Sequence, residues 1–295
     1  MQSPSALLGV CELSVIIPCR NAMPWLTEQL DALAGEHTSF AWEVVVSDNG
    51  STDRSAEVVS DFAGRMDIRV IDSSDRPGAA AARNAGVAAS RGLRLVFLDA
   101  DDVIAPGYLR RMDIAIGEYG LAAGRIDSVT LNPEWAARAV RARTAPPLFP
   151  GPPYRAIGTS ALGITRQLFT SVGGFDESFG SASEDLDFCW RVQRANSVTL
   201  TMCDAVLYYR LRPDPLALFR QARAHGCSNV KLYRKWRTSG MEAAPARLVA
   251  RRWASALGHL ALAWRGKEEL ARGLYLSGMC LGRIQGSISH RVVYL

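Results

Sequence analysis

The run Leu98-Asp99-Ala100-Asp101-Asp102 ends an apolar stretch with three carboxylates in four residues and no Lys or Arg beside them. Like charges this close repel and resist burial unless something positive sits between them. Along an extended chain, residues i and i+2 share a face, so Asp99 and Asp101 should project together while Asp102 points away. Hard oxygen donors without His or Cys nearby suit Mn²⁺ or Mg²⁺, usually with substrate phosphates completing the shell. For a D-x-D taken alone, a solvated acidic turn before a helix is the competing account.

Such a site needs strands to hold it. Leu13–Ile17, Glu43–Ser47, Ile68–Ile71 and Leu93–Leu98 read as strands. Between and after them, helix patterns run near Trp25–Leu33, Thr52–Ala63, Ala79–Ala89 and Pro106–Glu118. Strands that are apolar throughout and alternate with helices predict a parallel sheet covered on both faces. Polar residues collect just after these strands: Pro18-Cys19-Arg20-Asn21, Asp48-Asn49-Gly50-Ser51 and Asp99-Ala100-Asp101-Asp102. Open α/β sheets bind ligands in the crevice beyond the carboxyl ends of their strands.

The second half reads differently. Pro146–Pro153 is expected to be a mobile loop, and Thr159–Ile164 a strand leading into a helix that closes at Gly173-Gly174. A helix should open at Glu184 with Ser183 as its N-cap. Val198–Cys203 and Val206–Leu211 read as two further strands, and everything from Pro215 on as helical. Trp253, Leu257, Leu260 and Trp264 fall on one helical face, continued by Leu270, Leu274 and Leu281 and flanked by Arg251, Arg252, Arg265 and Lys267. That face either packs on the catalytic domain or a second subunit, or lies against an anionic membrane surface.

Bulk properties narrow the classes. The chain has 295 residues, 48% hydrophobic and 21% charged, with a net charge of +5, so a sizeable core is available and no nucleic-acid partner is demanded. Six cysteines occur with no C-x-x-C pair, which speaks against zinc and for reduced thiols in a cytoplasmic setting, at most at the inner face of a membrane. The first residues lack the pattern of a signal peptide, and no run of about eighteen apolar residues occurs. Neither G-x-G-x-x-G nor G-x-x-x-x-G-K-[ST] is present, so dinucleotide-binding and P-loop chemistry are excluded.

The blocks "LSVIIPCRN", "VVVSDNGSTDRS", "GAAAARNAG", "LVFLDADD" and "GGFDESFGSASEDLDFCWRV" occur in that order. Together, over roughly Leu13 to Arg212, they resemble the family 2 glycosyltransferases, inverting enzymes with a GT-A fold. The resemblance implies a GT-A-like α/β catalytic domain over 1–213, with a nucleotide-sugar half at about 11–118 and an acceptor half at about 119–213. Residues 214–295 then form a helical C-terminal extension. It implies a nucleoside diphosphate-sugar donor, most simply a UDP-sugar, and a hydroxyl acceptor on a small molecule, glycan or lipid-linked molecule.

By the same resemblance, Pro18, Arg20 and Asn21 lie near base and ribose, and Asp48 hydrogen-bonds one of them. Asn21 as a helix cap and Asp48 in an Asx turn are the structural alternatives. Arg83 lines the nucleotide pocket, Asp99 contacts ribose and metal, and Asp101 coordinates the metal. Asp185 is the general base, with Glu184 helping to place the acceptor, although acids at a helix start also simply complement its dipole. Asp187 reads as structural. Many members carry a late-strand His as a metal ligand, where this chain has Tyr208 and Tyr209. Arg210 and Arg212 are then candidates to meet the diphosphate, and His225 reads as a surface or core histidine. A sugar nucleotidyltransferase and a catalytically degenerate binding partner are the rival readings.

Overall fold

Uninterrupted Val, Ile and Leu runs form the buried centre of one sheet. The computed structural model describes residues 11–140, 149–150, 154–179 and 182–295. The chain opens with β1 (Leu13–Cys19), α1 (Trp25–Ala34), β2 (Trp42–Asp48), α2 (Ser55–Val58), β3 (Ile68–Asp72), α3 (Ala79–Ala89) and β4 (Arg94–Phe97). Then follow β5 (Val103–Ile104), α4 (Tyr108–Tyr119), β6 (Leu121–Asp127), α5 (Glu134–Ala139), β7 (Phe149–Pro150), β8 (Arg155–Ala156), β9 (Leu162–Thr165) and α6 (Arg166–Ser171). The chain continues through α7 (Glu184–Asn196), β10 (Thr201–Tyr208), α8 (Pro215–Trp236), α9 (Ala246–Ala261) and α10 (Lys267–His290).

Eight strands pair in the order β3-β2-β1-β4-β9-β6-β10-β5. The first four are parallel, as their fully apolar sequences predict. Beyond β4 the sheet becomes mixed, because β9 runs antiparallel to both β4 and β6. Val15, Ile16 and Ile17 of β1 are fully buried, with helices on the sheet's faces.

Small residues set how closely α3 lies on this sheet. Ala80, Ala81 and Ala82 are buried, and a Cβ on Gly86 would meet Ile16 Cγ2 at 2.6 Å. This close approach brings Arg83 down to the carboxyl end of β4. Asn49 ties the start of α3 to the end of β2, donating to the carbonyls of Ser73 (2.6 Å) and Arg76 (2.9 Å) and accepting from the Gly78 amide (2.8 Å).

Several expectations are corrected. The helix foreseen over Thr52–Ala63 is a single α-turn followed by a 3₁₀ turn, Val59–Phe62. The two strands foreseen at Val198–Cys203 and Val206–Leu211 are one strand, β10, whose register on β6 slips between Met202 and Val206. The strand foreseen from Thr159 begins with a 3₁₀ turn, Thr159–Ala161, before β9. Ser183 has a left-handed backbone (φ 68°) and does not cap α7; its hydroxyl donates to Asn229 Oδ1 instead. The expected loop Pro146–Pro153 lies outside the described residues apart from the two-residue β7.

The C-terminal helices fold against the sheet-bearing part of the chain. Asp214 Oδ1 caps α8 by accepting from the Ala217 amide at 2.8 Å. Asp187 of α7, fully buried, accepts from Trp236 Nε1 (2.8 Å) and Lys235 Nζ (2.9 Å), which fits its structural reading. α10 lies directly along α8, where a Cβ on Gly282 would fall 2.0 Å from the Arg223 carbonyl oxygen. The predicted apolar face, which runs along α9 and into the 3₁₀ turn Ala263–Arg265 after it, is divided. Leu260 packs on Gly273 of α10, whereas Leu257 and Trp264 are 60% and 82% exposed. Among the described residues no helix is long and apolar enough to cross a membrane.

Candidate active site

The strand ends deliver the predicted groups to one edge of the sheet. Pro18 and Arg20 lie at the end of β1, with Cys19 and Asp48 in register across β1 and β2. Asn21, also left-handed (φ 51°), caps no helix. Its Oδ1 accepts from the Thr52 amide (2.7 Å) and its own amide donates to Ser51 Oγ (3.0 Å), joining the loops after β1 and β2. Asp48 forms the expected Asx turn through Oδ2, which accepts from the Ser51 amide at 3.2 Å. Its Oδ1 is buried without a hydrogen-bond partner and is left over for a ligand.

Arg83 is the centre of the cluster. It is 4% exposed, and its two terminal nitrogens donate to Asp99 Oδ1 and Glu184 Oε1, each at 2.8 Å. Removing one partner from such a buried ion cluster leaves an uncompensated charge and is costly. The fork joins residues 101 positions apart in sequence and fixes the start of α7 against the end of β4. Glu184 Oε2 and Arg83 Nε stay buried without partners.

Asp185 follows immediately. Its Oδ1 accepts from the Leu186 amide at 2.8 Å, while Oδ2 faces the backbone at Gly158. Burial, then the neighbouring Glu184 charge, push its carboxyl up to about 7. A carboxyl poised there changes protonation state near neutral pH, as a general base requires.

The acidic cluster is tighter than strand alternation predicts. Asp99, Asp101 and Asp102 each bring an oxygen within 4.8 Å of the others. Asp102 does not point away, because the chain turns after Phe97 instead of staying extended. Asp102 Oδ1 accepts from the Arg210 amide (2.8 Å), and Oδ2 is buried without a partner. Burial, and then the adjoining carboxylates, raise the pKa of Asp101 and raise that of Asp102 well above the ordinary range. Three oxygen donors, one of them orphaned and buried, fit a hard divalent cation.

Arginines from the end of β10 surround this cluster. Arg212 pairs with Asp101 Oδ2 at 3.0 Å. Arg210 donates to the Asp101 carbonyl (2.9 Å) and Glu28 (2.6 Å) and stacks 4.2 Å above Trp25. Neither is a merely solvated arginine. Tyr209 lies in the field of the three aspartates; burial first, then those charges, raise its phenol pKa. The arginine contacts are invisible to local pattern, since Arg212 lies 111 residues from its partner.

Comparison with known proteins agrees with this arrangement. Residues 14–168 match the glycosyl transferase family 2 profile, and residues 154–245 match a glycosyltransferase-like family 2 profile. A pre-mycofactocin glycosyltransferase of Mycobacterium tuberculosis (strain ATCC 25618 / H37Rv) is 30% identical over 221 residues, covering 70% of this chain and 42% of the relative. A validoxylamine A glucosyltransferase of Streptomyces hygroscopicus subsp. jinggangensis (strain 5008) is 28% identical over 235 residues, covering 68% of this chain and 55% of the relative. The chain thus spans about half the length of these curated relatives. Among solved structures, a mannosyltransferase from Pyrobaculum calidifontis in complex with GDP-Man and Mn²⁺ shares the fold. Its TM-score is 0.64 at 17% identity, over 95% of this chain and 88% of that one. The first profile runs from β1 through β9, taking in Arg83 and the acidic turn, and the chain belongs to glycosyl transferase family 2.

Proposed function

We propose that this glycosyltransferase moves a sugar from a nucleoside diphosphate donor, a UDP-sugar in the first instance, to an acceptor hydroxyl with inversion at the anomeric carbon. The observation that carries the reading is the Arg83 fork, which ties donor-side Asp99 to Glu184, next to a carboxyl held near neutrality. Asp48, Pro18, Arg20 and Asn21 would receive the nucleoside, with the free Oδ1 of Asp48 accepting from base or ribose. Arg83 and Asp99 would line the donor pocket, and Asp99 and Asp101 would hold Mn²⁺ or Mg²⁺, with Asp102 close enough to share the load. The neighbouring fold solved in complex with GDP-Man and Mn²⁺ is in keeping with that donor class and that cation. When bound, the cation supplies Lewis-acid stabilisation of charge developing on the diphosphate.

The chain's own groups do the rest. Arg212, already beside Asp101, offers a fixed positive charge to the diphosphate as the sugar leaves. Asp185 Oδ2, unshared and facing Gly158, takes the acceptor's hydroxyl proton, so that the acceptor oxygen attacks as the bond to the diphosphate breaks. Glu184, held by Arg83, keeps Asp185 aimed and its pKa high. The test is incubation with UDP- and GDP-sugars plus Mn²⁺, followed by nucleotide analysis and proton NMR of the glycoside formed. Nucleoside diphosphate release with inverted configuration is expected. Release of pyrophosphate, or retained configuration, overturns the reading.

A further inference from the structure

The C-terminal helices carry a charge imbalance that the transfer chemistry does not use. Residues 214–295 hold 14 Lys and Arg against 4 Asp and Glu, a net charge of +10, whereas the whole chain is +5. The rest of the chain is therefore acidic, at −5. Three of the four acids in this stretch are already engaged. Asp214 caps α8, Glu268 pairs with Arg138 at 3.8 Å, and Glu269 meets His259 Nδ1 at 2.6 Å.

Helix α9 leaves this charge least covered. Of its 16 residues only Ala256 is buried, and its inner side meets α10 through Leu260 on Gly273. Arg247, Arg251, Ala254, Gly258 and Ala261, at i, i+4, i+7, i+11 and i+14, run down the side opposite Ala256, and all five are exposed. Leu257 borders that line and is exposed too. Trp264, in the 3₁₀ turn after the helix, is 82% exposed and has exposed Leu262 and Arg265 close by in sequence.

We propose that this face of α9, with the turn after it, seats the protein on an anionic lipid bilayer. Trp264 and Leu257 enter the headgroup boundary, and Arg247, Arg251 and Arg265 meet lipid phosphates. A helix lying in the interface needs apolar side chains to insert and basic ones to meet anionic headgroups, and this face supplies both. Tryptophan, an apolar body with one N–H donor, suits that boundary. A second copy of the chain is a poor occupant, because a twofold interface would set these arginines against their own counterparts. A nucleic acid would use the arginines but offers Leu257 and Leu262 no apolar phase to enter. None of these residues serves the donor or the base, so membrane seating stands apart from the donor reading.

The test is co-sedimentation of the full chain with phosphatidylcholine vesicles, with and without phosphatidylglycerol, in low and high salt. Binding is expected only where phosphatidylglycerol is present, and it should weaken as salt rises. Replacing Arg247 and Arg251 by Gln should weaken it about fivefold for each charge removed. Trp264→Ala leaves the net charge unchanged and should weaken it about tenfold, which a merely electrostatic attraction would not show. All three side chains are exposed, and circular dichroism of the variants should match the wild type. A wild-type chain that ignores anionic vesicles, or one whose binding survives Trp264→Ala undiminished, would overturn the proposal. A dimer in sedimentation velocity that these substitutions dissolve, without vesicle binding, would overturn it in favour of a second copy. Capture by duplex DNA without vesicle binding would overturn it in favour of a nucleic acid.

Discussion

Replacing Asp185 by Asn should inactivate the protein and, above neutral pH, stabilise it. The Asp185 carboxyl is raised from the ordinary 3.8 to about 7, chiefly by burial and then by Glu184. Below the unfolded pKa the group is neutral in both states and contributes nothing. Between the two values the unfolded chain ionises while the folded one resists, so stability falls as pH rises, and the penalty is complete above about pH 7. About three pKa units at 1.36 kcal/mol each give a ceiling of roughly 4 kcal/mol, of which about 2 kcal/mol accrues between pH 5.5 and pH 8. Asn keeps the oxygen that accepts from the Leu186 amide and removes the charge. Urea unfolding of both proteins at the two pH values should show the Asn variant's advantage growing by about that amount, while glycosyl transfer falls by about 10²–10⁴-fold. An advantage that is flat with pH, or an Asn variant less stable at pH 8, would refute the electrostatic account of this carboxyl.

Two further outcomes follow from the same geometry. Transfer should rise about tenfold between pH 6 and pH 8, because the ionised fraction of a base at about 7 climbs from roughly a tenth to nine-tenths; a rate profile flat across that range would exclude Asp185 as the titrating base. Arg83→Met leaves Asp99 and Glu184 facing each other without their shared cation and should cost about 3–5 kcal/mol in urea unfolding, with Glu184→Gln in the same chain restoring part of it. A loss below about 1 kcal/mol would mean the fork is not what holds α7 to the sheet.

What could be read from the sequence was whatever a local pattern encodes. β1 to β4 are legible because buried parallel strands are apolar throughout, and ligand groups gather where those runs end. β6 is hard to see: Leu121-Ala122-Ala123-Gly124 carries weak strand preference, although Gly124 packs tightly enough that a Cβ would meet the Ala205 carbonyl at 2.9 Å. β10 reads as two pieces because Asp204 falls where its register on β6 slips, so the polar residue looks like an interruption. At the site, Arg83, Asp99, Glu184 and Asp185 are marked by the resemblance, but the fork that joins them is purely tertiary. Asp102 was misread because alternation holds only for extended chain, and residues 99–102 turn. Ser183 looks like an N-cap by type, yet its left-handed backbone turns the hydroxyl toward α8. Arg212 could not be ranked from the sequence, since only the packing of the chain after β10 brings it to Asp101.

The account stands on a donor diphosphate held at the acidic turn through a divalent cation. The most direct test is calorimetric titration of wild type and Asp101→Asn with UDP and GDP, each with Mn²⁺ and with chelator. The account predicts that one diphosphate binds wild type only when Mn²⁺ is present, and that this metal-dependent gain disappears in the Asn variant. Binding equally tight with chelator, or an undiminished Mn²⁺ dependence in Asp101→Asn, would contradict it.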